Sequence, residues 1–251
     1  MTALLASVSD AREARLAMRG GADIIDLKDP AKGALGAVSA ETQRSVVRLV
    51  DGQRPVSATI GDLPMAAPVI AAAIEATAAN GVDLVKVGLF ERYPGPDILN
   101  ALAAAGQAGI HLIAVLFADQ YSPLHLLEPL RRAACAGVML DTADKTGGSL
   151  TAHLERDALA AFVQTGKRLG LLTGLAGSLR AADIRPLVQL GPDYLGFRGA
   201  LCAGDTRTSG LSEAAVADIR AQLDAALPST NTRGPIWTST RSRCGRDGEQ
   251  I

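Results

Sequence analysis

Aromatic residues are scarce in this chain, and positive charge is not in excess. Phe, Trp and Tyr make up 3% of the 251 residues, and the formal net charge is -1. Proteins that bind nucleic acid carry a basic surface, and those that hold single strands also offer aromatic side chains for base stacking. The composition therefore argues against nucleic acid as a partner.

Cysteines and long apolar runs are also few. The three cysteines, Cys135, Cys202 and Cys244, fit neither a disulfide framework nor a zinc site, so we expect reduced thiols and a cytoplasmic location. The opening stretch MTALLASVSD turns polar too soon for a signal peptide. No apolar run reaches the roughly 18 residues that a membrane span needs, so we expect no membrane association.

Short apolar runs rich in branched residues are abundant, and an alanine-rich helical stretch follows each one. The runs are LLASV (4–8), IIDLK (24–28), VSATIG (56–61), LVKVGL (84–89), HLIAVLF (111–117), GVMLD (137–141), LLTGLAG (171–177) and YLGFRG (194–199). Alternating strands and helices predict parallel βαβ units, and eight such units predict an α/β fold of the TIM (β/α)8 barrel type.

An open doubly wound sheet with a nucleotide site is the alternative fold. Neither G-x-G-x-x-G nor G-x-x-x-x-G-K-[ST] follows the first strand, which leads instead into SVSDAREA, where Ser9 or Asp10 can cap a helix. We predict one barrel domain over residues 1–227, with 212–227 as its last helix. Residues 228–251, rich in Ser, Thr, Arg and Gly, are predicted to be a disordered tail.

Charged residues occupy strand positions that should face the barrel interior. Because side chains alternate between the two faces of a strand, the apolar neighbours of these residues take the helix-facing side. The inward set is Asp26 and Lys28 in strand two, Lys86 in strand four, Asp141 in strand six and Arg198 in strand eight. We expect these side chains to converge near the C-terminal mouth, where barrel enzymes place their chemistry.

A structural cluster of ion pairs is the simpler interpretation of these charges, because a buried lysine costs several kcal/mol unless it is paired. The presence of two inward lysines together with two aspartates favours a catalytic role over a purely structural one. Desolvation and a second nearby cation both favour a neutral amine, which is the form that attacks a carbonyl to give a Schiff base. The aspartates would then move protons or orient the amines.

Glycine-containing loops follow strands seven and eight, where such barrels often bind phosphate. In LAGSLR (175–180) and FRGALC (197–202), Gly177 and Gly199 permit close backbone approach, and the amides of Ser178 and Ala200 can donate to phosphate oxygens. Arg198 would add positive charge. Each loop alone also fits an ordinary turn, but the pair favours a phosphorylated substrate. Cys202 lies close by and fits a small buried filler.

The stretch MLDTADKTGGSL (139–150) follows strand six and can close over a ligand. Its Lys145 fits either a site residue or a solvated surface charge. The three histidines, His111, His125 and His153, do not form a metal-binding pattern with nearby acids, so we expect no metal.

Six segments together resemble the (5-formylfuran-3-yl)methyl phosphate synthase family, also called 4-(hydroxymethyl)-2-furancarboxaldehyde-phosphate synthase. They are GGADIIDLKDPAKGALGA (20–37), VSATIGDLP (56–64), VDLVKVGL (82–89), MLDTADK (139–145), LAGSL (175–179) and GFRGALC (196–202). The resemblance covers residues 2 to about 227 in order and leaves the tail unexplained.

The resemblance implies a barrel enzyme of methanofuran biosynthesis, a pathway that serves one-carbon metabolism in methylotrophs. The family is a lyase that joins two molecules of glyceraldehyde 3-phosphate with loss of one phosphate and two waters. The resemblance places the Schiff-base lysine at Lys28 and the acid–base lysine at Lys86. It places supporting residues at Asp26, Asp141 and Lys145, and it implies no organic cofactor. The segment CAGDTRTSG (202–210) follows the family only loosely, which leaves Asp205 and Arg207 without assigned roles.

Two other functions fit the same residues. A class I aldolase or isomerase acting on another sugar phosphate would also use a Schiff-base lysine and a phosphate-binding site. A non-catalytic barrel that binds phosphorylated metabolites would form no imine. The alanine-rich helical exterior also favours self-association, so we expect a homo-oligomer.

Overall fold

Eight parallel strands form a closed barrel in chain order, which confirms the TIM barrel and excludes the open sheet. The computed structural model describes residues 2–227, so the predicted tail at 228–251 lies outside the described residues. The strands are β1 (Ala3–Val8), β2 (Ile24–Leu27), β3 (Val56–Thr59), β4 (Leu84–Leu89), β5 (Leu112–Phe117), β6 (Gly137–Asp141), β7 (Leu172–Leu175) and β8 (Tyr194–Phe197).

Helices follow the strands and cover the outside of the barrel. They are α1 (Ala11–Arg19), α2 (Ala40–Val50), α3 (Ala67–Ala78), α4 (Pro96–Gln107), α5 (Leu127–Arg132), α6 (Leu150–His153), α7 (Arg156–Arg168), α8 (Ala181–Val188) and α9 (Glu213–Ala226). Short 3-10 turns lie at Leu124–Leu126, Gly199–Leu201 and Ala203–Asp205. Asp10, one of the two caps that the sequence allowed, caps α1 by accepting a 2.8 Å hydrogen bond from the backbone N–H of Glu13.

The alternation of side chains along the strands divides the core into two layers. Ile25, Leu27 and Val85 belong to the larger layer between the strands and the helices. Leu5 and Ile113 belong to a smaller layer inside the barrel. The helix-facing positions predicted for strands two, four, six and eight all lie in the larger layer, which leaves the charged positions facing inward.

Several strands end earlier than the sequence predicted. β2 ends at Leu27, so Lys28 is the first residue beyond it, and β7 ends at Leu175 before the loop that contains Gly177. Gly177 has a φ of 105°, a left-handed conformation that stops an extended strand. The predicted site residues at these positions therefore lie on the first residues of loops, at the mouth of the barrel.

None of the helices among residues 2–227 has both the length and the apolar character required to cross a bilayer. The structure describes a single chain, so self-association stays a prediction.

Candidate active site

A cavity of about 130 Å³ opens at the C-terminal mouth of the barrel, between β2, β6, β7, β8 and the loops that follow them. Its lining is Ser7, Lys28, Met139, Asp141, Lys145, Ala176, Gly177, Ser178, Leu179, Arg180, Gly196, Phe197, Arg198, Gly199, Ala200 and Arg207. The structure thus brings together eight of the ten residues predicted from the sequence. The other two, Asp26 and Lys86, are buried and are not part of the lining.

Lys28, Asp141 and Lys145 form one cluster in the wall of this cavity. The Nζ atom of Lys28 lies 3.5 Å from one carboxylate oxygen of Asp141, and the Nζ atom of Lys145 lies 2.5 Å from the other. Lys145 also donates to the backbone carbonyl of Thr142, which holds its side chain back over the end of β6. One carboxylate therefore orients two amines toward the same small space.

Burial and charge set the protonation of this cluster. Burial lowers the pKa of Lys145 to about 8, with the charge of Lys28 acting in the same direction and Asp141 opposing it. Burial by itself would raise the pKa of Asp141, but the charges of Lys145 and Lys28 outweigh it, so that pKa lies well below its ordinary value. Near neutral pH, Asp141 is a carboxylate, and Lys145 is still mostly protonated but gives up its proton more readily than an ordinary lysine.

Lys86 and Asp26 form a second buried pair in the barrel interior. The Nζ atom of Lys86 lies 3.1 Å from each carboxylate oxygen of Asp26, and the two side chains are 1% and 0% exposed. Ser7 and Ser57 donate to the same carboxylate at 2.9 and 2.6 Å. Burial lowers the pKa of Lys86 and the charge of Lys28 lowers it further, whereas Asp26 opposes this shift.

The two glycine loops also line the cavity. The carbonyl of Gly177 accepts a 2.8 Å hydrogen bond from the backbone N–H of Leu150, and Ser178 donates through its hydroxyl to the carbonyl of Lys145 at 3.3 Å. These contacts join the loop after β6 to the loop after β7. Gly199 and Ala200 lie in a 3-10 turn directly after β8.

Arg198 lines the cavity, but its guanidinium is engaged with protein acceptors. It donates to Glu13, Ser7, Arg207 and Ser209 through five hydrogen bonds of 2.5 to 3.1 Å. The side chain is 9% exposed, and Glu13 neutralises its charge. The positive charge that the sequence analysis attributed to Arg198 is thus already paired within the protein.

Sequence reasoning missed several residues that shape the site. Ser7 and Ser57 lie opposite Asp26 in the sheet register, and the alternation that identified Asp26 would also have placed them inward. Glu13 meets Arg198 across 185 positions of sequence, and no local pattern signals that contact. Arg180 and Arg207 reach the cavity from loops, where no alternation exists to indicate direction.

Cysteines and metal-binding groups were given no role in the sequence analysis. Cys202 is buried and donates from its thiol to the carbonyl of Arg198, and the two described cysteines are free. Within residues 2–227, no group of three His, Cys, Asp or Glu side chains is arranged to hold a metal ion.

Comparison with known proteins places this chain beside one family. The sequence profile of a family described as 4-HFC-P synthase matches residues 4–220. A Methylorubrum extorquens protein provisionally named (5-formylfuran-3-yl)methyl phosphate synthase is 44% identical, over 85% of this chain and 88% of its own length. The (5-formylfuran-3-yl)methyl phosphate synthase of Methanosarcina mazei is 34% identical, over 82% of this chain and 93% of its own length.

Solved structures support the architecture alone. A crystal structure of 3-hexulose-6-phosphate synthase superposes with a TM-score of 0.62, covering 90% of this chain and 100% of the other, at 19% sequence identity. At that identity the likeness concerns the barrel and not the reaction.

Proposed function

This chain belongs to the 4-HFC-P synthase family, and we propose that it joins two molecules of glyceraldehyde 3-phosphate into (5-formylfuran-3-yl)methyl phosphate. Two triose phosphates lose one phosphate and two waters to give a phosphorylated furan aldehyde, with no net oxidation or reduction. The proposed enzyme is a lyase that uses a lysine imine and no organic cofactor. The observation that carries this proposal is the pair of amines, Lys28 and Lys145, held at one cavity by the single carboxylate of Asp141.

Lys28 is the proposed nucleophile. Its Nζ atom is in the wall of the cavity, its side chain is 8% exposed, and the Asp141 carboxylate fixes its direction. The neutral amine adds to the substrate carbonyl, and loss of one water gives the imine. The protonated imine then accepts the electron pair of the adjacent C–H bond, which makes the neighbouring carbon nucleophilic toward the second aldehyde.

We assign the proton transfers of this sequence to two further lysines. Because burial lowers the pKa of Lys86, its neutral form can accept the proton lost on enolisation, and Asp26 stabilises the ammonium that results. Lys145, with a pKa near 8, can both give and take protons at the cavity mouth during loss of phosphate and water. Asp141 remains a carboxylate and keeps both cavity lysines in place.

The phosphate that remains in the product is assigned to the two glycine loops. Small residues line the cavity in both loops and leave the backbone close to its wall, namely Gly177 and Ser178 in one loop and Gly199 and Ala200 in the other. Besides Arg198, whose charge Glu13 neutralises, four cationic side chains line the same cavity against the single carboxylate of Asp141, namely Lys28, Lys145, Arg180 and Arg207. A surplus of cations in a small pocket favours an anionic substrate.

Product analysis tests the proposal most simply. Purified protein incubated with glyceraldehyde 3-phosphate alone should yield the furan aldehyde phosphate by mass spectrometry and proton NMR. Lys28→Arg should give none, because arginine stays protonated and cannot form the imine. A different sugar phosphate as product would indicate an aldolase, and triose phosphate binding without any product would indicate a non-catalytic barrel. Either result would overturn the proposal.

A further inference from the structure

The hydrogen-bond capacity of Arg198 is fully used within the protein. A guanidinium has five N–H donors. Nε donates to the carbonyl of Arg207, Nη1 to the carbonyl of Ser7 and to Glu13, and Nη2 to Glu13 and to the carbonyl of Ser209. No N–H of Arg198 is left for a substrate phosphate unless one of these bonds breaks.

Glu13 completes this network from the first turn of α1, which follows β1, the strand paired with β8. Its carboxylate also accepts from the backbone N–H of Ser9, from the Ser9 hydroxyl and from the backbone N–H of Leu211. Burial opposes its ionisation, but the hydrogen bonds from Arg198 and Ser9 outweigh that effect and hold the pKa of Glu13 below its ordinary value. Glu13 and Arg198 thus tie the segment 206–211 to the start of α1.

Arg207 is carried by the segment that this network holds in place. Its own carbonyl accepts the 2.8 Å bond from Arg198, the residue lines the cavity, and its guanidinium donates to the carbonyl of Gly33 at 3.0 Å. Among the side chains that the structure describes, no carboxylate forms an ion pair with it. Arg207 is thus a half-buried cation for which the described residues show one guanidinium hydrogen bond, the one to Gly33.

We propose that Arg207 binds a phosphate group of the substrate in this cavity, and that Arg198, locked by Glu13, is the positioning residue that holds Arg207 there. The proposal rests on the proposed function for the identity of that substrate as a triose phosphate. It also gives the reaction a cationic phosphate contact distinct from the backbone amides of the loops after β7 and β8. The bond to Gly33 joins the same side chain to the loop after β2, which carries Lys28 at its start.

Titration of inorganic phosphate by calorimetry tests this assignment without depending on turnover. Arg207→Gln should raise the Kd for phosphate by about 10- to 100-fold, the loss expected for charge-assisted hydrogen bonds. Arg207→Lys should raise the Kd for phosphate by a smaller factor, because lysine keeps the positive charge but lacks the planar, bidentate guanidinium. Arg168→Gln, which removes the same charge from an exposed position at the end of α7, should leave the Kd within about twofold of wild type.

Glu13→Gln separates a positioning role of Arg198 from direct phosphate binding, because the two roles predict opposite signs. If Arg198 bound phosphate itself, removing the charge of Glu13 would tighten phosphate binding. Under the proposal, Glu13→Gln loosens the segment that carries Arg207 and weakens binding. Added to Arg207→Gln, it should cause less than about a twofold further loss, since both changes act through the same contact.

Three results would overturn the proposal: no saturable phosphate binding by wild type, an unchanged Kd in Arg207→Gln, or tighter binding in Glu13→Gln. Circular dichroism of each variant confirms that the fold is retained. A wild-type protein that makes no furan aldehyde phosphate would refute the proposed function, while the phosphate titrations would still decide the role of Arg207.

Discussion

Replacing Lys86 by methionine should destabilise the barrel, because it leaves the carboxylate of Asp26 buried without its counter-charge. Both side chains are at most 1% exposed, and the amine lies 3.1 Å from each carboxylate oxygen. Removing one partner of such a pair costs about 3–5 kcal/mol. For a domain of this size, that loss corresponds to a fall in Tm of roughly 6–20 °C by calorimetry.

The double variant Asp26→Asn/Lys86→Met should recover much of this loss, because neither buried charge remains. Asp26→Asn alone should cost less than Lys86→Met, since burial already lowers the pKa of Lys86 and lets the amine become neutral. Lys167→Met is the matched control, because it makes the same substitution at an exposed site and should change stability by less than about 0.5 kcal/mol.

Activity separates the chemistry of this pair from its contribution to stability. Both Lys86→Met and the double variant should fail to form the furan aldehyde phosphate, although the double variant should be the more stable of the two. A Lys86→Met protein with the Tm of wild type, or a double variant less stable than Lys86→Met, would refute the reasoning that the two charges compensate each other.

Two other predictions follow from the cavity. The pKa of Lys145 falls from 10.5 in the unfolded chain to about 8 in the folded protein, so between these pH values the unfolded chain binds more protons and stability should rise with pH. Lys145→Met should remove that rise, and a Tm difference from wild type that stays constant from about pH 8 to 10.5 would contradict it. Gly177→Ala should destabilise the protein and weaken phosphate binding, because a Cβ at φ 105° would lie 2.9 Å from the side chain of Thr142. Gly170→Ala is the control, because Gly170 has a φ of 71° and an added Cβ there would have nothing within 4 Å. Urea unfolding of this variant should show only the loss of stability that comes from the left-handed backbone. An equal loss of stability in the two variants would contradict the expected clash with Thr142.

The fold was predictable because it depends on alternation, which is visible along a single strand. Ile25 and Leu27 had to face the helices, so Asp26 and Lys28 had to face inward, and the two core layers agree with that assignment. The strand ends were less predictable. Gly177 leaves the strand through a left-handed turn that composition alone does not reveal.

The candidate site was predictable where it depends on strand parity and not where it depends on contacts distant in sequence. Lys28 and Asp141 reach the same cavity because both follow from alternation and from the shared C-terminal mouth. The pairing of Arg198 with Glu13 joins residues 185 positions apart. The sequence alone suggested that the Arg198 charge is available to substrate phosphate, whereas in the structure this charge is paired with Glu13. The direction of the Arg207 side chain depends on the folded conformation of its loop, which the sequence pattern does not show.

Borohydride trapping followed by peptide mass spectrometry tests the imine at Lys28 most directly. The protein is incubated with glyceraldehyde 3-phosphate, reduced and digested, and the modified peptide is sequenced. The account predicts a reduced triose phosphate adduct on Lys28, and none on that peptide in Lys28→Arg. An adduct on Lys145 or Lys86 with Lys28 unmodified, or furan product formed without any trapped adduct, would contradict it.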